Sequence, residues 1–89
     1  MTVFCDVDGV LLKNGSKFAE NGWKTQAISA NLKKISELQS EAEPYLVLTS
    51  SRSESEIEYT VDELSKFGVR VDRCIFGLPH SRRILINDY

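Results

Sequence analysis

Short runs of nearly continuous apolar residues alternate along this chain with longer segments whose apolar residues recur at helical spacing. The runs are TVFCDV at the start, YLVLTSS in the middle, and RCIFG and RILIND towards the end. Between the first two, from about Thr25 to Gln39, Ile28, Leu32, Ile35 and Leu38 fall on one helical face. Between the next two, SESEIEYTVDELSKFG places Ile57, Val61, Leu64 and Phe67 at the same spacing. Ser53 and Glu56 make a capping-box pattern there, and Gly68 supplies a stop. Strand alternating with helix predicts an α/β fold: a Rossmann-like, mostly parallel sheet with flanking helices. Two Asn-Gly pairs, Asn14–Gly15 and Asn21–Gly22, predict turns before the first helix, the first of them a β-hairpin flap after strand 1. Only GLPHSRR separates the third and fourth strands, where a parallel crossover normally needs a dozen residues. The third strand is therefore either a short or antiparallel edge, or its successor is reached by an extended crossing.

At 89 residues the chain is expected to form one domain, 1–89. A domain of this size buries roughly 60–65% of its unfolded surface, so its stability should be modest. Thirteen acidic and eleven basic side chains give a net charge of −2 with no block of one sign, which argues against a nucleic-acid-binding face. No apolar run approaches a membrane span, and no secretory leader pattern opens the chain, so a cytoplasmic protein is expected. Cys5 and Cys74 sit in apolar runs and read as reduced, buried thiols. The NGS at Asn14 reads as a chance match to a glycosylation acceptor.

Two carboxylates interrupt the first apolar run, at Asp6 and Asp8, followed by Gly9. Burying an unpaired charge is costly, so these residues call for a reason. In open α/β sheets ligands collect at the carboxyl ends of strands. The predicted strand ends here carry Asp6 and Asp8, then Thr49 and Ser50, then Asn87 and Asp88, with Arg82 and Arg83 nearby. Three carboxylates, hydroxyls and a cation suit a hard metal ion and a phosphate. Mg²⁺ takes oxygen ligands and uses one or two carboxylates with waters and substrate phosphate. A carboxylate can also attack phosphorus, forming an aspartyl-phosphate.

The set FCDVDGVLL, YLVLTSSR and FGLPHSRRILINDY resembles the haloacid dehalogenase (HAD) superfamily of phosphohydrolases, small members with a minimal cap. The resemblance implies an HAD-like core and a Mg²⁺-dependent phosphomonoesterase acting through an aspartyl-phosphate. The substrate would be a small phosphorylated metabolite, a sugar phosphate or nucleotide. It implies Asp6 as nucleophile and Asp8 as general acid/base. Asp6, the Asp8 backbone carbonyl and Asp88 would hold the metal, and Thr49 would bond the transferring phosphoryl group. Gly77-Leu78-Pro79 stands where short members carry a Gly-Lys-Pro segment, so the phosphate-neutralising cation falls to Arg82, with Arg83 as second choice. Relatives continue past the last acid into a helix and often a strand. This chain is accordingly expected to be a truncated or minimal member, with one sheet face short of its covering helix.

The same residues have plainer uses. Asp-x-Asp-Gly also opens calcium loops, but starting at Asp6 puts Leu11 at the required glycine and Lys17 at the closing acid, so the register fails. Thr49 could simply satisfy a strand end. Ser50 and Ser51 could be turn and helix-entry residues whose backbone N–H groups touch phosphate. Arg52 reads as solvated or structural as readily as substrate-binding. His80 reads as an exposed loop residue, Trp23 as packing against the flap or first helix, and Cys5 as core. Two further functional readings stay open: a phosphotransferase, and an incomplete phosphate- or metal-binding module that needs a partner. With no cap insertion, a second copy of the chain could roof the site.

Overall fold

A computed structural model of the chain describes residues 1–16, 18–20 and 22–88. The element order is β1 (Thr2–Asp6), α1 (Ser29–Ala42), β2 (Tyr45–Thr49), a 3₁₀ turn (Glu54–Glu56) running into α2 (Ile57–Ser65), and β3 (Arg73–Ile75). All pairings are parallel, in the order β1-β2-β3. Asp6 is in register with Thr49, and Thr49 with Ile75, so the three carboxyl ends lie side by side. The third strand is thus a short parallel edge, which settles the ambiguity left by its short exit loop.

Consecutive parallel strands joined by crossovers of one hand place both connecting helices on one sheet face. The core lies there. Leu32 of α1 and Leu64 of α2 are fully buried with Leu46 and Leu48 of β2, and Val3, Cys5 and Cys74 pack against them. Removing either helical leucine side chain costs about 2–5 kcal/mol in comparable cores. The opposite face carries Phe4, Tyr45 and Ile75, all exposed, around a buried Val47.

Helix α1 begins four residues later than its apolar spacing suggests, because the preceding backbone is already committed. The Lys13 N–H donates to the Gln26 carbonyl, the Ile28 N–H to the Leu11 carbonyl, and Leu12 bridges Ala27. These bonds make residues 11–16 and 22–27 the two arms of a flap. The predicted hairpin turn at Asn14–Gly15 is not there: Gly15 lies on an arm, facing Gly22 across it. A Cβ at Gly15 would meet the Gly22 carbonyl oxygen at 2.8 Å, which only glycine avoids. The chain instead reverses between Ser16 and Gly22, with Gly22 at φ +57°. Of the second predicted Asn-Gly turn, Asn21 lies outside the described residues. Lys17 and Tyr89 do also.

Helix α2 ends at the expected glycine: Gly68 has φ +75°, and the Val69 N–H reaches back to the Leu64 carbonyl. Its expected capping box does not form. The Ser53 hydroxyl makes no cap bond and pairs with the Ser55 hydroxyl at 2.6 Å.

The predicted fourth strand is also corrected. Residues 82–88 form no strand and are exposed, with Ile84, Leu85 and Ile86 largely in solvent. The route explains this. After β3 the chain turns back over the sheet's carboxyl edge, the Gly77 N–H donating to the Arg52 carbonyl and the Leu78 N–H to the Ser50 carbonyl. By Arg83 it has reached Asp6, at the carboxyl end of β1. A parallel strand must begin at the amino end of its neighbour, some five residues or ~17 Å away. The predicted strand opens at Arg83 itself, with no crossover before it to cover that distance.

Candidate active site

The first carboxylate sits where β1 ends. Asp6 is half-exposed, and its Oδ1 accepts a bond from the Thr49 hydroxyl on the adjacent strand at 2.8 Å. Arg83 approaches the same carboxylate from the exit loop, Nη1 lying 3.1 Å from each oxygen. The Thr49 proton is therefore spent on orienting Asp6.

Past Asp6 the chain stays with the sheet for one more residue, the Val7 N–H donating to the Thr49 carbonyl. It then turns sharply at Gly9, whose φ of +78° lies in the left-handed region that side chains other than glycine resist. This turn leaves Asp8 at the sheet edge with its side chain about one-fifth exposed. Arg52 binds it from below. Nη2 donates to Oδ1 at 2.8 Å, and Nε lies 3.1 Å from both oxygens. Ser50 adds a longer bond to Oδ2 at 3.3 Å and accepts the Arg52 N–H at 3.0 Å.

Arg52 has no exposed side-chain surface, and its remaining donors go to the flap. Nη1 donates to the Trp23 carbonyl and Nη2 to the Thr25 hydroxyl at 3.1 Å, while the Trp23 ring centroid lies 5.2 Å from the guanidinium carbon. The Thr25 hydroxyl donates in turn to the Lys13 carbonyl. One buried cation thus ties the second carboxylate to both arms of the flap. A buried charge survives only when paired and fully bonded, and among the described residues no buried side-chain nitrogen or oxygen lacks a partner.

Above these groups lies a cavity of about 220 Å³ lined by Asp6, Asp8, Asn14, Ser50, Ser51, His80, Ser81 and Arg83. It adjoins a larger one of about 680 Å³ between the flap and the exit loop, and Ser51 and His80 line both.

Of the expected site residues, Asp6, Asp8 and Ser50 come together in the smaller cavity, and Thr49 stands behind Asp6. Arg82 is exposed and does not line it; the basic residue that does is Arg83. Asp88 belongs to the exposed tail, and no group of three or more acidic, histidine or cysteine side chains suited to a metal occurs among the described residues. The expected three-carboxylate set therefore contracts to two. Mg²⁺ needs no more than one or two carboxylates beside waters and phosphate oxygens. Asp6 retains acceptor capacity, whereas Arg52 and Ser50 occupy the side-chain oxygens of Asp8. Of the two side chains, the Asp6 carboxylate is thus the one with room for a hard cation.

Two thiols flank the site without joining it. Burial, and then the charge of Asp6, push Cys5 above the ordinary thiol range; burial raises Cys74 as well. Neither lines the cavity among the carboxylates. Arg52 is the site residue least legible in the sequence. Its one signal is its place directly after the strand-end serines, with an aromatic residue in the facing flap. Comparison with protein families, with curated proteins and with solved structures finds no match for this chain.

Proposed function

We propose that the chain is a phosphomonoester hydrolase in which Asp6 attacks phosphorus. The observation that carries this reading is the pairing of two differently held carboxylates in one polar cavity. Asp6 is half-exposed and aimed by Thr49, while Asp8 is fixed by a buried arginine.

In the first step an Asp6 oxygen forms a bond to phosphorus as the bond to the substrate oxygen breaks. The leaving oxygen takes a proton from Asp8. In the second step water attacks the aspartyl-phosphate, Asp8 takes a proton from that water, and inorganic phosphate departs. The proton gained from water is the one given to the next leaving alcohol, so the cycle balances. Ser50 makes the longest contact to Asp8, which is the one an attacking water would replace. Arg83, beside Asp6, would neutralise the phosphoryl oxygens. Mg²⁺, when bound, would add to that neutralisation.

Purified wild-type protein should release phosphate from p-nitrophenyl phosphate in a Mg²⁺-dependent manner, and Asp6→Asn should abolish release. Equal turnover by the two proteins would refute the mechanism.

The absence of a third acid among the described residues favours one other reading, a phosphate- or metal-binding module that depends on a partner. In that case Mg²⁺ with vanadate should raise the Tm of the isolated chain while no substrate turns over.

A further inference from the structure

The larger cavity has a different character from the polar one it adjoins. It is lined by Trp23 and Leu78, with Phe18 at the flap side and Ser16, Ser51 and Ser53 beside them. His80 and Ser51 belong to both cavities, so a molecule with its phosphoryl group beside Asp6 can extend its remaining atoms into this space.

We propose that this cavity is the subsite for the substrate's alcohol portion and that it takes a planar aromatic ring, making a nucleoside monophosphate the substrate class. The inference rests on the phosphoryl site described above. Three observations lead to it. Trp23 is held in place from beneath: Arg52 bonds its carbonyl and lies over its ring, so little freedom is lost when a second ring meets it. The described lining joins Trp23, Phe18 and Leu78 to Ser16, Ser51, Ser53 and His80. An aromatic base presents a face that stacks on such a ring and an edge that a few hydroxyls can satisfy. Finally, the polar cavity offers one arginine at its wall, Arg83 beside Asp6, because Arg52 is consumed by Asp8 and the flap. That suits one phosphoryl group better than a chain of them.

The test compares adenosine 5′-monophosphate with ribose 5-phosphate, which share the phosphate and the sugar and differ by the base. Calorimetric titration of the full chain should give affinity for the nucleotide at least about tenfold higher, the size expected from one stacked base. Adenosine alone should quench the fluorescence of Trp23, the single tryptophan. Leu78→Asp should remove the difference between the two phosphates. Equal affinities in the wild type, or no response of Trp23 to adenosine, would overturn the subsite. Binding does not require turnover, so the two readings fail separately. A chain that prefers the nucleotide yet hydrolyses nothing keeps the subsite and loses the hydrolase. One that hydrolyses both phosphates with equal affinity does the reverse.

Discussion

At the scale of single residues, the two arginines of the site differ in how they are held, and the proposed hydrolysis makes different demands on them. The Arg52 guanidinium is wholly buried and bonded to Asp8 on one side and the flap on the other. Removing one partner of a buried pair costs about 3–5 kcal/mol. Because Asp8 keeps some contact with water, Arg52→Ala should fall near the lower end, read as a drop in the urea midpoint at unchanged slope. Arg83 is partly exposed, and exposed pairs contribute only about 0–1 kcal/mol. Arg83→Ala should therefore leave the midpoint almost unchanged while lowering kcat by about 10²-fold or more, the usual effect of losing one transition-state donor. Arg82→Ala should do neither. The sequence reading favoured Arg82, and it is Arg83 that reaches Asp6: no periodicity applies to a short loop to tell the neighbours apart. It did mark Asp6, Asp8 and Ser50, because strand ends are readable wherever an apolar run stops at a polar residue. Arg52 was obscure for the opposite reason: its partners lie on distant stretches of chain.

The elements show where local pattern suffices and where backbone bonding overrides it. Both helices and the first three strands were legible from apolar spacing, and the end of α2 from Gly68. The start of α1 was not, because residues 26–28 had already joined the flap. The flap depends on the close approach at Gly15. Gly15→Ala should force its arms apart and loosen Trp23 from Arg52, visible as a shift in tryptophan emission with α1 and α2 intact by far-ultraviolet circular dichroism. The strands carry a pH signature as well. Cys5 and Cys74 have raised pKa values in the fold, so their contribution is complete below the ordinary thiol value of about 8.5. As pH rises beyond it the unfolded chain loses those protons first, and stability falls. Cys5→Ser with Cys74→Ser should flatten that alkaline decline in a series of urea titrations.

For the molecule as a whole, one sheet face holds the core and one edge gathers the two carboxylates. With both helices on the same side, the burial that stabilises the chain leaves the carboxyl edge to the flap and the exit loop. The last apolar run takes no part. Its residues read as a strand because periodicity records which residues are apolar and says nothing of where the chain has arrived. Ile86 is 93% exposed, so Ile86→Ser should change stability by no more than about 0.5 kcal/mol. The central claim concerns Asp6, and mass spectrometry of the wild-type chain, quenched in acid during turnover, tests it most directly. A phosphoryl adduct on the peptide containing Asp6, absent from Asp6→Asn, is the predicted result. Sustained phosphate release with no adduct on that peptide, or an adduct on another residue, would contradict it.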